Sequence, residues 1–188
     1  MTPDILEIPE VRRRVSPLSV EEYHRLGEFN ENWRRTELIR GIVIEKMSKS
    51  PRHRIITSRL YRRLLRSLPD GFCVWKEEPL TFVDSEPEPD ISVTRGTEDD
   101  YARAHPTSAE LVIEVAVSSP ELDRANASLY AEAGINEYWI ILAVERRVEI
   151  YRRPSKGVYD EISSLGPGDT IECKSIPGVR MPVSDFLD

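Results

Sequence analysis

Apolar and polar positions alternate along the chain in blocks that predict strands separated by helices. Strand-like alternation or short apolar runs, bounded by turn residues, occur in six places. They are TELIRGIVIEKM with a turn or bulge at Gly41, FCVWKEEPLTFV, PDISV, ELVIEVAV, EYWIILA and RRVEIYRR. The last two strands are joined by a tight turn. After residue 153, apolar runs become short and are broken by Gly and Pro, which predicts short edge strands and turns.

Three segments carry the spacing and the end signals of helices. They are SPLSVEEYHRLGE with Ser19 as N-cap, SPRHRIITSRLYRRLLRSLPDG with Ser50 as N-cap, and SSPELDRANASLYAEAG with Ser119 as N-cap. The middle one is the clearest, because a proline follows its cap and a Pro-Asp-Gly run ends it. Its apolar stripe is Ile56, Leu60, Leu64 and Leu68, joined by Tyr61 and Leu65, while Arg52, Arg59, Arg63 and Arg66 fall on another face.

This order of elements predicts a mixed α/β (α+β) domain with a central sheet flanked by helices. A chain of 188 residues is long enough for one domain with a proper core and short for two. We therefore expect a single domain over residues 1–188. Residues 1–17 would form an N-terminal arm, and residues 154–188 a C-terminal extension of short strands and turns.

Composition excludes several classes of protein. No apolar run approaches the roughly 20 residues that span a bilayer, and the acidic, proline-broken start is unlike a secretory signal. Two cysteines, Cys73 and Cys173, are too few for a disulfide framework or a cysteine-based zinc site. We expect a cytoplasmic protein with no membrane association.

Charge is segregated within a net charge of −7. Residues 46–69 contain eight Lys or Arg and no acid, whereas residues 77–100 contain nine acids. Cations for phosphates beside carboxylates for a metal are what an enzyme acting on a polyanion requires. Two solvated faces that compensate each other explain the pattern equally well. Among the acids, Glu77, Glu78, Glu86 and Glu88 are interpreted mainly as solvated loop charges, of which one could reach a metal.

Glu114 lies in the middle of the apolar run ELVIEVAV, where an unpaired carboxylate costs several kcal/mol. Alternation places it on one face with Val112 and Ala116, opposite the face of Leu111, Ile113, Val115 and Val117. Asp90 starts another strand directly after Pro89. If the two strands pair, both acids can hold one Mg²⁺ through hard oxygen ligands. The alternative is an ion pair between Glu114 and an arginine of a helix over the sheet.

A family resemblance bears on this pair. The Pro-Asp of EPEPDISV and the glutamate of ELVIEVAV resemble the PD-(D/E)XK nuclease superfamily. The ordered elements ELIRG, a histidine in the next helix, PD, EV, LYAEAG and EYW resemble its Uma-type branch of restriction endonuclease-like proteins. They cover roughly residues 18–152. The resemblance implies a restriction-endonuclease-like fold and Mg²⁺- or Mn²⁺-dependent hydrolysis of DNA phosphodiester bonds. It makes Asp90 and Glu114 metal ligands, and Glu37 a further acid.

One position departs from the motif. The motif's lysine, two residues after the glutamate, is Ala116 here, and the helix position from which many Uma-type members supply a lysine is Asn126. The stripe Leu122, Asn126, Leu129 and Ala133 predicts that Asn126 faces the sheet, where its amide could orient water. Arg124 points away from Asn126 on a helical wheel. Lys46 and Lys49 are the other candidate substitutes.

The basic helix is predicted to contact DNA phosphates through Arg52, Arg59, Arg63 and Arg66. His53, which shares a helix face with Ile56 and Leu60, is a further candidate nucleic-acid-binding residue. These arginines could equally pair with the acidic segment or form a subunit interface, and a histidine at that place could be structural. Three functions remain open. They are a DNA endonuclease, a catalytically impaired module of the same fold that binds nucleic acid or protein, and a homodimeric module without a nucleic-acid role.

Overall fold

The structure is a computed structural model that describes residues 8–27, 35–118 and 120–188. The chain divides into two compact units, one formed by residues 1–46 with 83–87 and the other by residues 47–82 with 88–188. The predicted cap Ser119 lies outside the described residues. Each unit is described by itself below.

The first unit contains two short helices and a hairpin. Helices α1 (Pro9–Arg12) and α2 (Val20–Gly27) precede strands β1 (Thr36–Ile39) and β2 (Ile42–Glu45), which pair antiparallel. The predicted cap of α2 is confirmed, because Ser19 Oγ accepts the N–H of Glu22 at 3.2 Å. The turn at Gly41 is also confirmed. Its φ of +74° and the 2.3 Å that would separate an added Cβ from Pro17 Cβ both require glycine.

The second unit is built on a six-stranded mixed sheet in the order β3-β4-β5-β6-β7-β8. Strands β5 and β6 are parallel and the other neighbours are antiparallel. The predicted central mixed sheet is thereby confirmed. The strands are β3 (Phe72–Lys76), β4 (Ile91–Arg95), β5 (Leu111–Ala116), β6 (Glu137–Leu142), β7 (Arg147–Ser155) and β8 (Val158–Leu165).

Two helices cover opposite faces of this sheet. Helix α3 (Pro51–Ser67) packs Ile56, Leu60 and Leu64 in one core with Leu111, Ile113 and Val115 of β5. Helix α4 (Pro120–Glu132) packs Tyr130 and Ala131 in a second core with Val112 and Ala116 of the same strand. Alternate residues of β5 therefore serve different cores, which confirms the predicted assignment of its two faces. We call these the α3 face and the α4 face.

Two leucines of the predicted helical stripes are exposed. Leu65 is 54% exposed and Leu122 is 45% exposed. The buried positions of α3 are His53, Ile56, Thr57, Leu60 and Leu64, a narrow stripe that Leu65 lies beyond. Including Leu65 in the core stripe was wrong, because one residue further along a helix turns about 100° away from its neighbour.

The C-terminal segment closes the α3 face. After β8 come β9 (Thr170–Glu172), β10 (Arg180–Pro182) and helix α5 (Ser184–Leu187). Ile171, Val179 and Phe186 join the core that α3 covers. Glu137 at the start of β6 is 1% exposed and accepts hydrogen bonds from the backbone N–H groups of Lys174 and Ser175. Beyond the predicted short edge strands, β8 is an eight-residue edge strand of the main sheet.

Candidate functional site

Asp90 and Glu114 lie side by side where β4 begins and β5 approaches its end. The strands are antiparallel, with Ile91 opposite Ile113, so the next pair outward brings Asp90 level with Glu114. The backbone N–H of Asp90 donates to Glu114 Oε2 at 3.1 Å. Asp90 itself is 4% exposed. The structure therefore brings the two predicted acids together within the second unit.

Both oxygens of Asp90 are held by other groups. Lys49 Nζ donates to Oδ1 at 2.6 Å. On the other side, His53 Nε2 lies 2.8 Å from Oδ2, and the N–H of Val115 donates to the same oxygen at 2.8 Å. A carboxylate only accepts hydrogen bonds, so His53 carries a proton on Nε2. Asp90 is thus an ionised, buried side chain fixed by three donors.

This environment shifts the ionisation of both partners. Burial raises the pKa of Asp90, but the hydrogen bond from His53 and the charge of Lys49 lower it more, and the net pKa lies below 3.8. Burial lowers the pKa of Lys49, but the charges of Asp90 and Glu77 outweigh it and leave the pKa above 10.5. At neutral pH the site therefore contains a carboxylate and an ammonium in contact.

Glu77 is a further acid beside Lys49. Its Oε1 lies 3.2 Å from Lys49 Nζ, and its backbone N–H donates to the carbonyl of Asp90 at 3.2 Å. Its φ of +58° places it in the left-handed region directly after β3. Glu77 is one of the four acids expected mainly as solvated loop charges, of which one could reach a metal, and nothing in the local pattern distinguishes it from Glu78. Only the pairing of β3 with β4 brings it to the site.

Glu114 is held from the α4 face. The hydroxyl of Tyr130, a residue with no exposed surface, donates to Glu114 Oε1 at 3.1 Å. A hydroxyl and a backbone N–H, both neutral donors, thus hold this carboxylate. The alternative of an ion pair between Glu114 and an arginine of a helix stays a prediction.

Asn126 faces the sheet as predicted, one helical turn before Tyr130. It is 7% exposed, and no hydrogen bond joins its amide to another residue in the described part of the chain. The hydroxyl of Ser92, two residues after Asp90 on β4, is buried and has no hydrogen-bond partner among the described residues. Buried polar groups are nearly always hydrogen-bonded, commonly to water. The role of Asn126 as a water-orienting group remains a prediction.

The three cations considered as substitutes for the motif lysine have different partners. Arg124 holds Glu149 of β7, with Nη2 to Oε1 at 2.6 Å, in agreement with its predicted direction away from Asn126. Lys46 belongs to the first unit, where its Nζ lies 3.6 Å from Glu37 Oε2. Lys49, which belongs to the second unit, contacts Asp90. Glu37 also belongs to the first unit, and its part in the site stays a prediction.

His53 is a buried partner of Asp90. It is 8% exposed and lies on the buried face of α3 with Ile56 and Leu60, as the sequence predicts. The local cause is the helix start. Ser50 Oγ accepts the N–H of His53 at 3.2 Å, which fixes the first turn of α3 with the imidazole directed at β4. The part of His53 in nucleic-acid binding stays a prediction.

The arginines of α3 fall into two groups. Arg52 donates to the carbonyl of Ala143, and Arg63 pairs with Asp185 at 2.8 Å. Arg59 and Arg66 have no ion-pair partner among the described residues, and with Asp185 they line a surface pocket of about 190 Å³ that also includes Arg62 and Arg63. Among the described residues, none of these four arginines forms an ion pair with the acidic segment 77–100.

The donor set fits a hard divalent cation. Across residues 8–27, 35–118 and 120–188, no group of three or more His, Cys, Asp or Glu is arranged to hold a metal ion. Mg²⁺ does not need such a cage, because it binds through one or two carboxylates and completes its shell with water and phosphate oxygens. Asp90 and Glu114 provide two adjacent carboxylates, and the unpartnered amide of Asn126 lies on the helix that covers Glu114.

Known proteins resemble this chain in sequence and in structure. Residues 20–184 match the family Uma2, described as "putative restriction endonuclease". No curated protein matches. Among solved structures, one described as a putative nuclease belonging to DUF820, from Anabaena variabilis, superposes with a TM-score of 0.76 at 20% identity. The match covers 91% of this chain and 98% of that one, which confirms the nuclease-like fold. None of the helices in the described residues is long and apolar enough to cross a membrane.

Proposed function

Because the chain belongs to the Uma2 family of restriction endonuclease-like proteins, we propose that it hydrolyses phosphodiester bonds of DNA with Mg²⁺ or Mn²⁺. The observation that carries the proposal is the contact between the backbone of Asp90 and the carboxylate of Glu114 at 3.1 Å. Two carboxylates on adjacent interior strands, one fixed by three donors, form a rigid acidic pair at the ends of those strands.

Asp90 and Glu114 are the residues that would hold the ion. A bound Mg²⁺ supplies Lewis-acid polarisation of a phosphate oxygen and favours ionisation of an attacking water. The residues of the chain orient this pair. His53 and the N–H of Val115 fix Oδ2 of Asp90, and Tyr130 fixes Oε1 of Glu114. Lys49 would move from Oδ1 of Asp90 when an ion binds there.

DNA would lie along the exposed side of α3. Arg59 and Arg66 are seven residues apart, which places them on one face about 10 Å apart along the helix axis. That distance is about three base-pair rises of B-DNA, at 3.4 Å each along one strand. His53, in the first turn of the same helix, contacts Asp90. Phosphate contacts along α3 would therefore lead the strand toward the acidic pair.

The test is metal-stimulated cleavage of DNA of mixed sequence, both plasmid and long linear, with single-stranded DNA and RNA as further substrates. We expect cleavage with Mg²⁺ or Mn²⁺, none with EDTA, and a loss of about 10²-fold or more in Asp90→Ala and Glu114→Gln. Arg59→Ala and Arg66→Ala should each weaken DNA binding and lower the salt slope by about 1. Cleavage that does not depend on the metal, or that Asp90→Ala leaves unchanged, would contradict the proposal.

A second candidate function is suggested by the contact between Lys49 and Asp90. An ammonium on Oδ1 of Asp90 satisfies the acid without a metal, as a binding module that no longer cleaves would require. That function predicts salt-dependent DNA binding that survives Glu114→Ala and is lost in Arg59→Ala/Arg66→Ala, with no cleavage. The homodimeric module without a nucleic-acid role predicts no gel shift even at low salt, and a dimer by light scattering.

A further inference from the structure

The resemblance implies a lysine on β5 or on α4, and this chain has none at either position. Position 116 on β5 is an alanine, and position 126 on α4 is a buried asparagine. An amide can position water, but it cannot neutralise negative charge that develops on a phosphate. A nuclease site at Asp90 and Glu114 therefore needs its positive charge from a different element.

We propose that Lys49, from the segment between β2 and α3, supplies the charge that the motif lysine supplies elsewhere in this fold, and that Glu77 positions it. The inference rests on the proposed function. Lys49 reaches the acidic pair from a segment that precedes both acids in the chain, whereas the motif lysine follows them. Its ammonium lies 2.6 Å from an oxygen of the acid proposed to hold the metal.

The backbone around Lys49 is fixed. The next residue, Ser50, caps α3 through the N–H of His53, and Pro51 occupies the first helical position. The side chain of Lys49 is 17% exposed, so it is largely enclosed beside Asp90. A rigid origin and an enclosed path restrict where the ammonium can be, which is the condition for an electrostatic contribution to catalysis.

Glu77 gives the ammonium a second acceptor. Oε1 of Glu77 lies 3.2 Å from Nζ, and the backbone N–H of Glu77 is bound to the carbonyl of Asp90. When Asp90 Oδ1 is needed for another partner, Lys49 can leave it and remain held at the site by Glu77. In this arrangement the carboxylate of Asp90 holds the ion and the carboxylate of Glu77 retains Lys49.

The experiment compares Lys49→Ala with the double variant Lys49→Ala/Asn126→Lys in the plasmid cleavage assay with Mg²⁺ and Mn²⁺. We expect kcat to fall about 10²- to 10³-fold in Lys49→Ala. Asn126→Lys restores an ammonium at the position where relatives carry a lysine, and we expect it to recover at least about tenfold of that loss. Lys76→Ala is the matched control. It removes a lysine 3.7 Å from the same Glu77 oxygen, and its activity should equal that of the wild type.

The role of Glu77 is tested by non-additivity. Glu77→Gln should lower kcat about tenfold in the wild type with KM unchanged, and have no further effect in Lys49→Ala, because the two residues act as one unit. A merely structural role of Glu77 would lower activity or stability in both backgrounds.

The outcomes separate this inference from the proposed function. Wild-type cleavage that is lost in Asp90→Ala but unchanged in Lys49→Ala overturns the role of Lys49 and leaves the proposed function standing. Cleavage that rises in Lys49→Ala also overturns it, because Lys49 would then block the acid. Absence of metal-stimulated cleavage by the wild type and by all variants overturns both.

Discussion

The two faces of the central sheet meet the same strand, β5, with different chemistry. On the α3 face the strand contributes Leu111, Ile113 and Val115 to a mainly aliphatic core. On the α4 face it contributes Glu114, beneath a row of tyrosines. Tyr130, Tyr138, Tyr151 and Tyr159 follow one another with ring centroids 4.7, 5.6 and 5.9 Å apart.

The hydroxyls explain the difference. Tyr130 donates to Glu114, Tyr138 to the carbonyl of Asp123, Tyr151 to Glu149 and Tyr159 to the carbonyl of Ile135. A tyrosine fills space like an apolar residue and still carries a donor at its tip. The α3 face is therefore mainly apolar, with His53 as its buried contact to Asp90, whereas on the α4 face the same tyrosines both pack and hold polar groups. Lys49, the cation that contacts Asp90, comes from the aliphatic side of the sheet, directly before α3.

The largest expected effect concerns the aliphatic face. Leu64→Ala should lower the free energy of unfolding by about 2–5 kcal/mol, because Leu64 has no exposed surface and its removal leaves a cavity. Leu65→Ala, the adjacent residue at 54% exposure, should change it by less than about 0.5 kcal/mol. Urea unfolding of the two variants measures the contrast. Similar losses in both would mean that the boundary of the stripe is misplaced.

A smaller effect tests whether the tyrosine face serves the site. Tyr130→Phe and Tyr138→Phe each delete one buried hydroxyl and should each cost about 1 kcal/mol of stability. Only Tyr130 bonds a carboxylate of the proposed site, so only Tyr130→Phe should lower metal-dependent cleavage or Mn²⁺ affinity. Equal cleavage by the two variants would mean that the Tyr130 hydroxyl does not support the site, whatever the stabilities of the variants.

The smallest effect is expected in acid. Because the pKa of Asp90 is below 3.8 in the folded protein, its ionised form adds stability above that pH, and the contribution is lost as the pH falls through the folded value. Asp90→Asn lacks this contribution. The wild type should therefore exceed Asp90→Asn in stability at pH 7, and the difference should shrink below about pH 3.8. A difference that is constant from pH 7 to pH 2.5 would argue against an ionised Asp90.

Periodicity was sufficient to predict much of the second unit. The alternation of ELVIEVAV correctly separated the two faces of β5, and the cap and proline signals of α3 correctly gave its start, because such signals depend on neighbouring residues only. The juxtaposition of Asp90 and Glu114 also followed, given strand pairing. Their catalytic and metal-binding roles stay predictions.

Long-range pairing explains what the sequence left open. Glu77 reaches Lys49 only because β3 pairs with β4, and no pattern within VWKEEPL distinguishes it from Glu78. The sequence predicts that His53 shares a face of α3 with Ile56 and Leu60, but its partner Asp90 lies 37 residues further along the chain and follows from tertiary packing. The sequence could not rank Arg124, Lys46 and Lys49 as substitutes for the motif lysine, because the acid that each one contacts is set by the folded chain.

The burial of Glu137 has a consequence for shortened forms of this protein. Its Oε1 accepts the amides of Lys174 and Ser175, which come from the far end of the chain, while its Oε2 is held by Trp139 and Arg152. A truncation before β9 would strip those donors from an enclosed negative charge and uncover Trp139 and Ile150 at the same time. Residues 170–188 are thus an integral wall of the fold, and a trimmed version would be expected to aggregate.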